Sequence, residues 1–466
     1  MRDRCIQAVS NAIGRSITEA EARNIEARIL KNMRYAATED PAGFQAMTGD
    51  QRLQVAAQKA AEEIVHEATL KKVRVGLTIK ARDRLDTYIG DMQAAGMEAF
   101  DALRRTLVFL GDGKSNFLSA ESRGNAIRAN AIRQVIDTFE AVDPRIWGLF
   151  ENQEGVRELT RAIFGEQVQN PKVIAGAKAW LDVAEQLRRQ FNAAGGDVGQ
   201  LENWSLPQHH SQIKVSQAGQ DKWVADIFPL LDRRKYINLD GSRMTDDQVI
   251  GFLKEAFYSI ATGGINKITP GGQNGTGMMA NRNAEARSLH FQNADAYLGY
   301  QQAYGEKSLW GVITGHIHGL SREIAALETY GPNPHLMFRA LVETHLKEDA
   351  MARPGEAPKL GEQAKDLQNL YDYISGATQP IVNKNTAQFF DTLRNWLVAS
   401  RLGSAVITAL SDEATLQLTA RVNNLPAVQL FRNEASAFNI FNRKEENLAL
   451  DRKSTRLNSS HANISY

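Results

Sequence analysis

Helix-start signals, each followed by an apolar stripe, constrain the fold of this chain more than any other feature. Three pairs have the capping-box spacing, in which each side chain bonds the backbone N–H of the other residue: Thr18 and Glu21, Thr48 and Gln51, and Thr245 and Gln248. Asn170-Pro171 and Asn333-Pro334 place a capping residue before a proline at the first helical position. Apolar residues then recur at steps of three and four, the period of an amphipathic helix. The sequence predicts an all-α fold, with more than half of its residues helical.

The apolar stripes place predicted helices along most of the chain. The helix after Thr48 is expected to continue to Tyr88, because no proline interrupts it. A stripe from Phe100 to Leu110 predicts another helix, and Gly331-Pro332 ends a later one. The remaining stripes predict helices that begin near residues 18, 127, 173, 245, 309 and 334, and helices over 359–376, 384–402 and 404–423.

Strand signals are confined to two short stretches. Residues 212–216 alternate apolar and polar side chains, and residues 235–239 precede an Asp240-Gly241 turn. These two stretches are expected to pair as a small sheet. The predicted fold class is therefore all-α, built of elongated multi-helix bundle modules with at most a small β-hairpin.

Breaks rich in glycine, proline and asparagine divide the chain into predicted domains. A loop over 193–220, a Gly- and Asn-rich loop over 262–283 and two prolines within 353–358 interrupt the helical pattern. The predicted units are an N-terminal helical domain (1–150), a helical connector (151–195), a central helical domain with the Gly-rich loop (196–355) and a C-terminal helical segment (356–450).

The final residues, 451–466, have a different origin in our interpretation. Asp451 to His461 back-translates to a widely used sequencing-library adapter, and Ile464-Ser465-Tyr466 fits its continuation. Residues that derive from an adapter must be left out of fold reasoning. We therefore expect the natural reading frame to continue past Leu450, and we expect residues 451–466 to be unstructured and dispensable.

Composition disfavours several classes of protein. The chain is 43% hydrophobic and 23% charged, which is typical of a globular protein that buries a core without disulfide or metal staples. Cys5 is the only cysteine, so no internal disulfide can form and a reducing compartment is expected. A net charge of +1 gives no global attraction to nucleic acid or anionic membrane. We expect neither a secretory signal nor a spanning helix, because no long apolar run is present.

Two motifs resemble binding sites, but their spacing argues against that use. Gly111 to Ser115 has the ending of a phosphate-binding loop, yet Val108 stands where the full motif needs another glycine. We interpret it as a turn that ends a helix. His316 and His318 are two residues apart on a predicted helix, so their side chains point about 200° apart and cannot hold one metal ion. The sequence predicts no metal site and no cofactor.

A loop with tryptophan, proline and two histidines is the best candidate for chemistry. His209 and His210 follow Trp204 and Pro207, and one imidazole could act as a general base with Glu202 or a distant acid. The alternative interpretation is a loop held by a buried Trp204 and a hydrogen-bonded imidazole. Further along, three tyrosines fall on one helical face, which predicts a packing or partner-facing stripe: Tyr297, Tyr300 and Tyr304.

Several stretches of the chain resemble large virion proteins of tailed phages and their prophages, of the internal or ejection type. The resemblance rests on residues 290–305, the helix with Ile324 to Glu328, Gly331-Pro332-Asn333-Pro334, the loop from Trp204 to His210, and residues 384–425 with Arg394 to Ser404. It covers most of residues 1–450, but none of these motifs is the signature of a reaction.

The resemblance implies a helical component that is made in the bacterial cytoplasm, packaged in the virion and delivered with the DNA. It implies contacts with portal or internal core proteins, self-association as a homo-oligomer, and transient contact with DNA or the host envelope, where the small-residue stretch 391–425 would help form a conduit. We assign no catalytic, cofactor-binding or metal-binding residue. A hydrolase using His209, His210 and His290 is one alternative, and a host-side adaptor or toxin-associated scaffold is another.

Overall fold

The computed structural model describes residues 2–22, 24–142, 149–150, 152–199, 206–238, 242–261, 279, 289–305 and 308–376. These residues form the following helices: α1 (Arg2–Ile13), α2 (Glu19–Ala22), α3 (Ile25–Glu39), α4 (Pro41–Ala46), α5 (Gly49–Ala94), α6 (Ala99–Leu107), α7 (Ala120–Val142), α8 (Gln153–Ile163), α9 (Pro171–Ala193), α10 (Gln212–Ala218), α11 (Gln220–Ile227), α12 (Asp246–Ala261), α13 (Ala294–Tyr304), α14 (Leu309–Tyr330), α15 (Pro334–Ala352) and α16 (Ala357–Ser375).

The predicted all-α fold is confirmed. Helix accounts for 79% of the part of the chain that the structure describes, and this part contains no strand or sheet. Backbone pairing between extended residues is limited there to two isolated antiparallel bridges, Leu231 with Phe291 and Ile237 with Arg243. The predicted domain boundaries and the elongated arrangement stay predictions.

The expectation of a strand over 212–216 is wrong. These residues lie in α10, where the hydroxyl of Ser211 accepts a hydrogen bond from the backbone N–H of Lys214 and so caps the helix. Val215 is the one fully buried residue of this short helix. Five alternating residues cannot distinguish a strand from a helix with a single buried position, and the capping serine decides between them.

The capping signals predicted from the sequence are present. Thr48 and Gln51 exchange side chain to backbone hydrogen bonds at the start of α5, and Thr245 and Gln248 do so before α12. Thr18 and Glu21 form a third box before α2. α5 then runs without a break for 46 residues, roughly 69 Å at 1.5 Å per residue.

The first half of α5 packs against α1 and α3. Their apolar stripes form an N-terminal core: Cys5, Val9, Ile25, Ile29, Ala56, Ala57, Ala60, Ala61 and Ile64. The second half of α5 belongs to a different core, which it builds with α6, α15 and α16. There the rings of Phe338 and Tyr371 stack at 4.9 Å, and the hydroxyl of buried Tyr330 lies 2.9 Å from that of Thr106. One helix therefore joins two cores.

A third core fills the space between α7, α8, α9 and α14, around the fully buried Trp180. A fourth, smaller core lies between α10, α11, α12 and α13, and its buried members all fall between Val215 and Tyr304. Phe291 is half-buried and packs against both of these cores. The helices that build the fourth core lie between α9 and α14 in the sequence, and they form a core of their own.

Two helix ends show how glycine shapes the fold. α6 ends at Leu107, not at the predicted Leu110, because the backbone is extended at Val108, and Gly111 follows with φ +69°. Gly331 ends α14 as predicted, with φ +81° and ψ −174°. A Cβ atom at Gly331 would lie 3.4 Å from Thr78 and from Ala81 of α5, so the turn into α15 touches that helix directly.

Several sequence predictions lie outside the described residues. They concern Trp204 and Glu202, the helices over 384–402 and 404–423, the small-residue stretch 391–425, and the adapter-like residues 451–466. In the part that is described, no helix combines the length and the apolar character needed to cross a membrane.

Candidate functional site

The residues with the strongest claim to chemistry gather around α13. Asn293 caps this helix by accepting a hydrogen bond from the backbone N–H of Ala296. The helix then presents its tyrosine stripe inward, so that Tyr297, Tyr300 and Tyr304 are at most 5% exposed. The packing interpretation of this stripe is confirmed. The loop that carries His209 and His210 lies against the same helix.

His210 and Tyr300 form the central contact of this tyrosine cluster. Nδ1 of His210 lies 2.6 Å from the hydroxyl oxygen of Tyr300, and the two rings meet edge to face at 5.6 Å. Burial, and to a smaller extent the charge of neighbouring His209, lowers the pKa of His210 to about 4. His210 is therefore neutral near pH 7, and the imidazole serves as a hydrogen-bonding partner for the phenol.

The other two tyrosines tie the cluster to neighbouring segments. The hydroxyl of Tyr297 donates to the carbonyl of Pro207 at 3.0 Å, which fixes the histidine loop. The hydroxyl of Tyr304 donates to Oδ2 of Asp226 on α11 at 2.6 Å. Burial raises the pKa of Tyr304, and the hydrogen bond to Asp226 raises it as well. Through these two hydrogen bonds, Tyr297 and Tyr304 join α13 to other elements.

His290 lies in the same cluster but has a different partner. Its backbone N–H donates to the hydroxyl of Tyr236 at 3.2 Å, and the two rings meet edge to face at 5.7 Å. Its carbonyl accepts the backbone N–H of Asp232 at 2.7 Å. The following residue, Phe291, contacts the rings of Tyr297 and Tyr300. The cluster therefore brings His210 and His290 to one region without pairing them.

A hydrolase that used these histidines would need an acid to orient one imidazole. Asp226 is an exposed carboxylate at the edge of the cluster, and it is held by Tyr304 and by Lys222 at 2.7 Å. Its pKa lies below the ordinary range, mainly because of the hydrogen bond from Lys222 and then that from Tyr304. Among the described residues, no carboxylate forms a hydrogen bond with His210. This arrangement joins segments of backbone rather than activating a base.

The histidines of α14 point apart, as their spacing predicted. His316 meets the edge of the Trp180 ring at 5.7 Å in the third core. His318 is exposed, and its Nδ1 lies 3.1 Å from a guanidinium nitrogen of Arg128 on α7. Over the described ranges, no group of three or more His, Cys, Asp or Glu side chains is arranged to hold a metal ion.

The glycine-rich turn after α6 is held by side chains instead of a phosphate. The Arg105 guanidinium donates to both carboxylate oxygens of Asp112, at 2.7 and 2.5 Å. The hydroxyl of Ser115 lies 2.8 Å from that of Tyr88 on α5. In a nucleotide-binding protein this turn would surround a phosphate. Here its side chains bond to Arg105 on α6 and to Tyr88 on α5.

Two clusters of polar side chains that join distant segments were not predicted from the sequence. In the first, Nε2 of His66 lies 2.9 Å from Oδ1 of Asp197, and Arg74 donates to the carbonyl of Gly195 at 2.8 Å. Burial lowers the pKa of Arg74 to about 10. In the second, His345 on α15 meets Asp86 on α5. The partners are 131 and 259 residues apart. The one local sign is the spacing of His345 and Glu348, one helical turn apart.

No protein family, curated protein or solved structure matches this chain in comparisons of sequence and fold.

Proposed function

We propose that this chain is a structural protein of a phage or prophage particle, an internal or DNA-ejection component that performs no reaction in this region. The proposal that this region performs no reaction is supported by the hydrogen bonds of the tyrosine cluster, which consists of Tyr297, Tyr300, Tyr304 and His210. His210, Tyr297 and Tyr304 each form a hydrogen bond that joins two segments of the chain. In this arrangement the three side chains act as hydrogen-bonding partners that hold segments of the chain together.

The phage part of the proposal rests on the resemblance of residues 290–305, 331–334 and 384–425 to internal virion proteins. The helical architecture agrees with such a role, since helical modules with local contacts fold quickly. A protein that travels through a narrow portal must unfold and refold. The fourth core supports this reasoning, because its buried residues all fall between Val215 and Tyr304, so its contacts are local in the sequence.

Mass spectrometry of gradient-purified particles tests the proposal. The account predicts peptides from several of the helices α1 to α16 in the particle fraction, at a ratio to the major capsid protein that repeats between preparations. If the chain is abundant in the lysate but missing from particles, the virion role fails. A host-side adaptor or an enzyme would then become the better explanation.

A further inference from the structure

An exposed aromatic residue stands on the rigid turn after α6. Phe109 is 69% exposed, the largest exposed fraction among the bulky apolar residues that the structure describes. Its backbone N–H donates to Oε2 of Glu121 at 3.2 Å, so a carboxylate lies beside it. Lys114 is exposed five residues further along the same turn. We call this feature the Phe109 knob.

Hydrogen bonds and a ring contact fix the conformation of the turn that carries the Phe109 knob. Arg105 donates two hydrogen bonds to the carboxylate of Asp112, and the hydroxyl of Ser115 contacts that of Tyr88. The ring of Phe117, at the far end of the turn, packs 4.5 Å from that of Tyr88. A rigid loop loses little conformational freedom on binding, and a preorganised aromatic side chain is the usual anchor of an interface.

A matching groove lies between α11 and α12. It has a volume of about 290 Å³, and its apolar lining comes from Val224, Ala225, Phe228 and Ile250. A closed apolar cavity of about 150 Å³ is enough to hold a benzene molecule. The groove is therefore large enough for a phenylalanine ring.

Two opposite charges flank this groove. Asp221 lies at one side and Lys254 at the other. Within the part of the chain that the structure describes, neither the Asp221 carboxylate nor the Lys254 ammonium forms an ion pair. Besides the paired Arg105 and Asp112, the turn carries one acid and one base, with Glu121 beside Phe109 and Lys114 further along the turn. Complementary charges of this kind fix the orientation of an interface.

We propose that the Phe109 knob of one copy inserts into the α11–α12 groove of a second copy, with Glu121 facing Lys254 and Lys114 facing Asp221. The contact joins two different patches of the surface. Two copies can therefore form a closed dimer with two such contacts, or successive copies can form an open chain with one contact between neighbours. This surface deepens the proposed structural role, and its place in a particle rests on that role.

Sedimentation velocity of the purified full-length chain over a concentration series tests the contact. The wild-type chain should form dimers or larger species. Phe109→Asp removes the knob, and Ala225→Arg blocks the groove from an exposed position of α11 without touching the core. Each variant should weaken every such contact roughly thirty-fold, the scale of an interface hot spot, and a dimer with two contacts should lose more. Tyr373→Asp, at another aromatic that is 67% exposed, should have no effect.

Mixing the two variants gives the decisive result. Phe109→Asp keeps an intact groove and Ala225→Arg keeps an intact knob, so an equimolar mixture should form mixed dimers and nothing larger. Circular dichroism must show that both variants stay helical. A wild-type chain that remains monomeric up to its solubility limit overturns the proposal, as does a mixture that forms no mixed dimers. Either failure concerns purified protein, so it is separate from the presence of the chain in particles.

Discussion

His345 and Asp86 connect α15 to α5 across 259 residues of sequence, with Nε2 of the imidazole 3.0 Å from Oδ1 of the carboxylate. Glu348 lies 3.6 Å from Nδ1 on the other side of the ring. Arg82 is bonded to Asp86 and lies 3.3 Å from the hydroxyl of Thr344. Burial disfavours the charged imidazole, but the two carboxylates outweigh burial, and the pKa of His345 is raised above its ordinary value.

This contact predicts a pH-dependent stability. The pKa of His345 is higher in the folded chain than in the unfolded chain, so its stabilisation is fully present below about pH 6.5 and is lost as the pH rises through the folded value. His345→Gln should lower the free energy of unfolding by about 1–3 kcal/mol at about pH 6, and by less at about pH 9. Urea unfolding at both pH values measures the difference.

His335, on the same helix, provides the control. Burial lowers its pKa, so its contribution is constant above about pH 7 and is lost only as the pH falls through the folded value. The difference between the wild-type chain and His335→Gln should therefore not change between about pH 7 and pH 9. A His345→Gln difference that is equally constant would show that the His345–Asp86 contact is not an ion pair.

Acid should weaken the tyrosine cluster through His210. The pKa of this imidazole falls from its ordinary value of 6.5 to about 4 on folding, mainly because of burial. The resulting stabilisation is present above about pH 6.5 and is lost as the pH falls toward 4, a change of roughly 3 kcal/mol at 1.36 kcal/mol per pKa unit. Measured between those pH values, unfolding of His210→Gln should depend less on pH than that of the wild-type chain. Equal pH dependence would contradict the burial of this imidazole.

Asn32 predicts a stabilising substitution. It is 2% exposed in α3, and neither its amide nitrogen nor its amide oxygen has a hydrogen-bond partner in the described residues. Leaving such a group unsatisfied costs about 1–3 kcal/mol. Asn32→Leu keeps the branching of the side chain and removes the polar atoms, so it should raise the melting temperature. Asn32→Asp adds a buried charge and should lower it. A loss of stability in the leucine variant would mean that the amide is satisfied.

Gly319, within α14, and Gly331, which ends it, form a matched pair for substitution. Gly331 has a backbone conformation that other residues rarely adopt, so Gly331→Ala should cost about 1–3 kcal/mol in unfolding free energy. Gly319 is exposed, and nothing lies within 4 Å of a Cβ atom built there. Gly319→Ala should stabilise the chain by about 0.5–1 kcal/mol, because glycine is unfavourable inside a helix. Thermal unfolding that showed the same sign for both variants would contradict the turn geometry.

The sequence predicted those parts of the fold that are written in local patterns. Thr48 and Gln51 formed the expected capping box, because both partners lie within one helical turn. The strand expected over 212–216 became α10, since a pattern of five residues is too short to fix its period. Leu110 fell outside α6 because the backbone leaves the helical conformation and becomes extended at Val108.

The candidate site could be predicted only in part. The tyrosine stripe of α13 followed from its spacing, and the interpretation of His210 as a hydrogen-bonded loop residue agrees with its contact to Tyr300. No sequence pattern could show that Tyr300 would be its partner, because the two residues are 90 positions apart. The pairing of His66 with Asp197 was missed for the same reason. Contacts between distant segments depend on how the helices pack, which a single sequence does not state.

The proposed function requires that this chain is part of a virion and leaves it with the DNA. Quantitative mass spectrometry of protease-treated particles, before and after triggered DNA ejection, tests it most directly. The account predicts that the chain is protected in full particles at a constant ratio to the major capsid protein and is depleted in emptied ones. A chain that protease removes from full particles, or that remains unchanged after ejection, would contradict the account.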